Sequence, residues 1–347
     1  MSKKNNKTRL MFGVVIAILM MSAYSCVEEV DKGSIYPPDW VDPNAQDTTS
    51  SGGNDTTLNY IYTMPEVDAN GRILVKGRPP QYTDTAKHHV LAVAYDITSS
   101  KPIDLTTYYA SAVGKSGDKL REALVKIISN NFVGISYGDA RYVLQDADKD
   151  PLDDTKVWCF YEENTASRTW DNGVSWNREH VWAVSKGLGE RPDNMAISTA
   201  TDLYNLKAEL ESINTAKGNR DFEEKDGNAD FYGTHGTYSY APKKSARGDV
   251  ARILFYMELR WHDAKGIYLD EGSSASTSSP RQGVLSDLIK WHSADPVDPF
   301  EIRRSNVVYS KQKNRNPFVD HPELVDYLYG DLKDKAWDGG VTYKNNN

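Results

Sequence analysis

Cysteine is nearly absent from this chain. Only Cys26 and Cys159 occur in 347 residues, which excludes a disulfide framework and a cysteine-rich zinc site. Long apolar runs are missing as well. The run Leu10–Met21 falls short of the roughly 20 residues that a membrane-spanning helix needs. There is no surplus of positive charge: 41 Lys and Arg stand against 49 Asp and Glu, a formal charge of -8. The overall field therefore does not steer the protein to nucleic acid, and any polyanion must be met by a local basic surface. No internal repeat is visible. His235, His262, His292 and His321 fit neither a helical H-E-x-x-H pattern nor a zinc finger. What remains is ordinary globular composition, 39% hydrophobic and 26% charged. The length allows one large domain or two modest ones, with a core that needs no covalent staples.

The N-terminus sets the compartment. Residues 1–26 read as an export signal: basic Lys3, Lys4, Lys7 and Arg9, then Leu10–Met21, then small residues before Cys26. Ala23-Tyr24-Ser25-Cys26 resembles a relaxed bacterial lipobox, whose cysteine is lipidated after cleavage; an ordinary signal peptide cut nearby is the alternative. Losing the four basic residues of this leader would take the formal charge from -8 to -12. Glu28, Glu29 and Asp31 resemble the acidic export tag of bacterial surface lipoproteins. The expected location is the outer membrane or cell surface, with a secreted or periplasmic protein as the alternative. Cys159 is left as a small buried residue.

Residues 27–57, rich in Pro, Asp, Ser, Thr and Gly, read as a flexible tether. Residues 58–104 carry strand-like runs around the turn signal Asp68-Ala69-Asn70-Gly71, and Val90–Tyr95 is a further strand candidate. From residue 105 to 330 the pattern is mixed. Leu120, Leu124, Ile127 and Ile128 share a helical spacing, and Val157–Tyr161 is a short strand candidate. Val250, Ile253, Leu254, Met257 and Trp261 mark one face of a helix, and Leu285, Leu288, Ile289 and His292 another. Glu323–Tyr329 predicts a last short helix, and residues 331–347 a frayed tail. Short strands among several helices make an α+β fold in a single, mostly helical domain.

Reactive groups are densest at Trp176-Asn177-Arg178-Glu179-His180-Val181-Trp182. Phosphodiester hydrolysis needs a base for water and positive charge for the phosphate and leaving oxygen. His180 suits the base, since an unperturbed imidazole titrates near pH ~6.5. Glu179 suits a hard cation such as Mg²⁺, which keeps its own waters and needs few protein oxygens. Asn205, in Asp202-Leu203-Tyr204-Asn205-Leu206, is the expected amide ligand, carried on a following helix. A strand pair followed by a helix with a metal between them is the ββα-metal layout. Adjacent residues on a regular strand face opposite ways, so Glu179 and His180 share one site only if the strand ends or bulges there.

Trp176–Trp182 resembles the signature of the bacterial endonuclease I family, a branch of the His-Me finger nucleases. Asp202–Leu206 with Asn214 and Gly218-Asn219-Arg220-Asp221-Phe222 is similar to the family's second block. Arg247–Arg252 with Tyr256-Met257, then Trp291-His292, Asp295-Pro296-Val297 and Phe300–Arg304, are similar to its central helix and third block. Asn314–Glu323 is similar to its closing block. Tyr204 stands where the family usually has His, Lys217 where Arg is common, and Ala183 where proline follows the signature.

The resemblance implies a Mg²⁺-dependent endonuclease, with Mn²⁺ or Ca²⁺ as substitutes. It would cut DNA, and RNA in a broader reading, with little sequence specificity, leaving 5′-phosphates. It implies His180 as base with Arg178 beside it, and Glu179 and Asn205 as metal ligands. Arg220, Lys217, Arg304 and Arg315 are the expected nucleic-acid contacts, arginine suiting phosphate through its bidentate fork. Arg247, Arg252 and Arg303 are equally candidates for buried ion pairs with Asp249, Glu258 or Glu301. Segments 243–252 and 281–316 are each net +3 and could build a local basic face. Partners would be nucleic acid, and a membrane only through Cys26, for a monomer. The rival reading is an inactive surface lipoprotein that binds polyanions on a nuclease fold.

Overall fold

The structure, a computed structural model, describes residues 104–340 apart from 151–152, 163, 229, 273–275 and 277, together with two short strands further upstream. The expected leader, tether, Val90–Tyr95 strand and residues 341–347 lie outside the described residues. The upstream strands, β1 (Glu66–Val67) and β2 (Ile73–Leu74), pair antiparallel across the expected turn.

The chain then runs through α1 (Leu105–Tyr109), α2 (Gly117–Ser129) and α3 (Tyr137–Ala147). Asp104 caps α1 and Ser136 caps α3, each side chain accepting from backbone N–H groups of the first turn. Leu120, Leu124 and Ile128 form the buried stripe of α2, with Ile127 only half-buried at its margin. β3 (Lys156–Cys159) and β4 (Asn164–Ser167) make an antiparallel ribbon. β5 (Trp176–His180) pairs antiparallel with β6 (Leu206–Leu210), and α4 (Glu211–Lys217) follows directly.

A second sheet collects short strands: β7 (Asp221–Phe222), β8 (Gly233–His235), β9 (Ser239–Ala241), and two more on either side of a loop, β10 (Tyr268–Asp270) and β11 (Arg281–Val284). Their order is β10-β11-β7-β9-β8, parallel except at the β8–β9 edge. Between β9 and β10 runs α5 (Arg247–Lys265), the longest described helix, ending at left-handed Gly266. The one-face pattern expected for it understates its burial. Val250, Ile253, Leu254 and Met257 are buried, but so are Arg247, Arg252, Glu258 and Arg260. Gly248 permits this close packing: a Cβ there would lie 2.0 Å from the Asp295 carbonyl oxygen.

The C-terminal third adds α6 (Leu285–Ala294), α7 (Pro299–Gln312), α8 (Pro317–Asp320) and α9 (Leu324–Leu328). Both α7 and α8 open with an Asp or Asn cap followed by proline, a residue that loses no helical hydrogen bond at that position. The expectation of a frayed tail from residue 331 is corrected by Trp337, which is 1% exposed. Its ring meets His321 edge-on at 4.9 Å, and its carbonyl accepts from Gly114 N at 2.7 Å. A buried indole of this size contributes roughly 2–3 kcal/mol through area alone, enough to dock a short terminal segment. Helices and small sheets interleave throughout, an α+β domain with β5–β6–α4 as its ββα unit.

Candidate active site

The β5–β6 hairpin is in regular register, with Asn177 opposite Glu209, Glu179 opposite Lys207 and His180 opposite Leu206. No bulge interrupts it, so side chains alternate through His180. Asn177 and Glu179 leave on the side of α4. Arg178 and His180 leave on the side of α3.

On the α4 side, Glu179 is 2% exposed. Its Oε1 accepts from Tyr161 Oη at 2.6 Å and lies 3.0 Å from Lys217 Nζ. Burial pushes the Glu179 carboxyl above its ordinary range, opposed by the Lys217 ammonium and the Tyr161 hydroxyl. Next to it, Asn214 of α4 donates through Nδ2 to Asn177 Oδ1 at 2.5 Å. Asn214 Oδ1 has no hydrogen bond to any described residue. Glu209 is buried opposite Asn177 and accepts from the Tyr161 and Leu210 amides. Burial, opposed by those amides, pushes its carboxyl up to about 8, so it is mostly protonated at neutral pH.

On the α3 side, the His180 ring stacks on Tyr137 at 5.4 Å between centroids. The Arg178 guanidinium lies over the same tyrosine at 3.7 Å and near Trp170 at 5.1 Å. It also donates to the Tyr137 carbonyl and, at 3.4 Å, to Asn194 Oδ1. His180 is 4% exposed, and neither ring nitrogen meets a hydrogen-bond partner in good geometry, the Ala200 backbone being the one group that bears on the ring as an acceptor. Burial first, then the positive charges of Arg178, Lys217 and Arg191, push its pKa down to about 3. The imidazole is therefore neutral across the physiological range, the form that accepts a proton.

Several expected placements change. Asn205 does not sit on the following helix. It lies in the turn entering β6, where Oδ1 accepts from Trp182 N at 2.7 Å and Nδ2 donates to Trp182 O at 3.0 Å. Its carbonyl accepts from Val181 N. The amide is spent as an extra rung that closes the open end of the hairpin. Asn214 occupies the helical position expected of Asn205. The signal was present: Leu206, Ala208 and Leu210 alternate at period two, which carries β6 to residue 210 and starts the helix at 211.

The expected phosphate contacts are mostly internal. Lys217 is 0% exposed, and its ammonium serves Glu179, the His180 carbonyl at 3.3 Å and the Val181 carbonyl at 3.1 Å. Arg304 is buried on Asp148 at 2.7 Å and on the carbonyls of Leu203 and Leu206. Arg315 grips Asp320 with two bonds of 2.6 Å. Arg220, half-buried, folds back onto the Ala216 carbonyl at 2.9 Å. The two net-positive segments likewise turn inward: Arg252 pairs with Glu301 and Asp249, Arg281 with Asp221, and Arg303 with Asp146. Arginine wins these places because its weakly hydrated fork satisfies buried carboxylates. Tyr204 is core, its hydroxyl 3.0 Å from Ser305 Oγ.

Residues 116–323 match the family model described as Endonuclease I. An extracellular ribonuclease of Bacillus amyloliquefaciens is 38% identical over 236 residues, 65% of this chain and 79% of that protein. An extracellular ribonuclease of Bacillus subtilis (strain 168) is 36% identical with the same coverage.

Proposed function

Because the chain belongs to the endonuclease I family, we propose that it is an exported enzyme hydrolysing internal phosphodiester bonds of nucleic acid. The names of the two Bacillus relatives favour RNA as substrate and a site of action outside the cytoplasm. DNA is the second substrate to test. The leader-like residues 1–26 agree with export, and lipid on Cys26 would hold the enzyme at a surface. No helix among the described residues is long and apolar enough to cross a membrane.

One observation carries the catalytic reading. A buried imidazole whose nitrogens lack a well-formed hydrogen bond costs about 1–3 kcal/mol, and His180, with only the Ala200 backbone near its ring, sits so at the end of β5. A base kept neutral and bound to no side chain is ready for a water. In the proposed step, that water gives its proton to His180, its oxygen bonds to phosphorus, and the bond to the 3′ oxygen breaks, leaving a 5′-phosphate. Solvent supplies the proton to the departing oxygen. Glu179 and His180 leave β5 on opposite faces, so the phosphate must lie across the edge of β5 away from β6, an edge that pairs with no other described strand. Arg178 adds positive charge on the His180 face and keeps the imidazole neutral.

A divalent cation of the Mg²⁺ type fits the donors on the α4 face. The buried Glu179 carboxylate and the amide oxygen of Asn214, which no described residue engages, are hard ligands that leave such an ion its waters. When bound, the ion supplies positive charge to the phosphate and the departing oxygen. Tyr161 and Lys217 hold Glu179 in place. Mn²⁺ and Ca²⁺ belong to the same oxygen-seeking class and are expected to substitute.

The decisive assay incubates the purified protein with RNA and with plasmid DNA, with Mg²⁺ or with chelator. Cutting that stops with chelator is expected, and 3′-end analysis should find hydroxyls. Polymers left intact with every divalent metal would overturn the enzyme reading and favour the non-catalytic binder. A second comparison separates the two asparagines. Asn214→Ala should raise the Mg²⁺ concentration for half-maximal rate at least tenfold, the scale of losing one metal contact. Asn205→Ala should leave that concentration alone and lower Tm, by about 1–3 kcal/mol of stability for the buried backbone groups it abandons. The reverse pattern would return the ligand role to Asn205.

A further inference from the structure

Away from β5 lies a concave groove of about 1120 Å³ between α2 and the C-terminal end of α7. Lys115, Lys119, Lys126 and Lys313 line it, with Glu122 as the one carboxylate among its lining residues. The basic residues inspected so far spend their charge on buried carboxylates or carbonyls. These four make no ion pair with a described residue: Lys313 donates to the Ser310 carbonyl at 2.7 Å, and Lys119, Lys126 and Lys313 are exposed. An unpaired ammonium at a surface keeps its charge for an incoming anion.

The groove is built by helix periodicity. Leu120, Leu124 and Ile128 turn into the core, which leaves Lys119 and Lys126 two turns apart on the opposite face of α2. Their separation along the axis is about 10 Å, close to three stacked nucleotides at roughly 3.4 Å each. Lys313 closes the far wall from the left-handed position after α7. The floor is aromatic, with Tyr108 and Tyr309 packed edge to face at 6.3 Å. The Tyr108 hydroxyl is buried beside the Arg315 backbone. Asn130 and Asn131 add amides at one end.

We propose that this groove binds a single-stranded segment of polynucleotide outside the catalytic site, lysines on phosphates and tyrosines against bases. The proposal rests on the nuclease reading for the identity of the polyanion. Concavity favours a strand over a membrane, because a flat lipid surface matches a concave groove poorly. Alternating cations and aromatic rings are what sequence-tolerant single-strand binding uses. The groove also answers the charge problem. A chain of net charge -8 can hold a polyanion where several lysines without an ion pair converge.

The test measures binding rather than turnover. Take His180→Ala protein with chelator, and follow the anisotropy of a labelled single-stranded oligonucleotide across a salt series. The triple variant K119Q/K126Q/K313Q should flatten the slope of log Kd against log salt by about 2, at roughly 0.7 per lost phosphate contact. The charge-matched control K156Q/K244Q/K290Q removes lysines paired with Asp153, Asp230 and Asp287 and should keep the wild-type slope. Equal slopes for all three proteins, or equal flattening in both triple variants, would overturn the groove. Loss of binding to anionic vesicles or a sulfated glycan, with oligonucleotide binding intact, would overturn its assignment to nucleic acid. Thermal melts confirm that the variants are folded. Failure of hydrolysis with a groove-dependent slope would sink the nuclease reading and leave the groove standing, so the two failures are distinguishable.

Discussion

Replacing His180 with alanine is expected to lower kcat/KM on RNA by about 10²–10⁴-fold, the range general-base catalysis supplies. The metal dependence of the residual rate should not change, because His180 is on the opposite face of β5 from Glu179 and Asn214. The pH behaviour gives a second readout. With its pKa pushed down to about 3 by burial, His180 stays in its basic form as the pH falls through 6 and 5. The acid limb of kcat/KM for the free enzyme should therefore not show an inflection near 6.5. The sign for stability follows from the same shift. The folded pKa is below the unfolded one, so the unfolded chain binds the extra proton between about pH 3 and 6.5. Stability is complete above about 6.5 and is lost as the pH falls towards 3, by about 2 kcal/mol at pH 5. Melting curves at pH 7 and pH 5 should show a smaller acid loss in His180→Ala than in the wild type. An inflection near 6.5 that disappears in the variant would show instead that the imidazole is hydrated and ordinary.

Lys217→Met should produce the largest loss of stability, about 3–5 kcal/mol, because it strands the buried Glu179 carboxylate. Two carbonyls, those of His180 and Val181, lose their donor in the same change. Activity should fall with it, since a carboxylate deprived of its cation in a dry site takes up a proton and loses its value to a metal. The double variant Glu179→Gln/Lys217→Met tests the cause. It removes both charges, so it should recover part of the lost stability, with a coupling of roughly 1–3 kcal/mol, while activity stays absent. Additive losses measured by chemical denaturation would show that the pair is not coupled. A Lys217→Met protein of normal stability and weakened RNA binding would restore Lys217 to phosphate contact.

Much of this site was legible in one dimension. Glu179 and His180 stood out because hydrolysis uses few residue types and both were adjacent in a single window. The helices at Leu120–Ile128, Val250–Met257 and Leu285–His292 followed from apolar spacing, which records one buried face directly. The place of the second amide was misread for an equally physical reason. Asn205 and Asn214 carry the same amide, and the residue type does not say whether that amide will meet backbone or open space. Only the end of β6 at Leu210, and the helix that begins there, separates them.

The arginines show the same limit more sharply. Arg304 and Arg315 have the chemistry of phosphate binders, and a buried aspartate satisfies that chemistry as well as a phosphate does. Which partner each met depended on residues over a hundred positions away in one case, Asp148 for Arg304, and five away in the other, Asp320 for Arg315. The sequence by itself determined the family, the ββα order of elements and the candidate base, because these depend on local spacing and residue type. The tertiary structure alone decided that Glu179 and His180 leave opposite faces of one strand, that Asn214 rather than Asn205 keeps a free oxygen, and that Lys119 and Lys126 of α2 stand without an ion pair among the described residues. Those outcomes depend on what is packed against each group, and burial pairs charges by proximity in space.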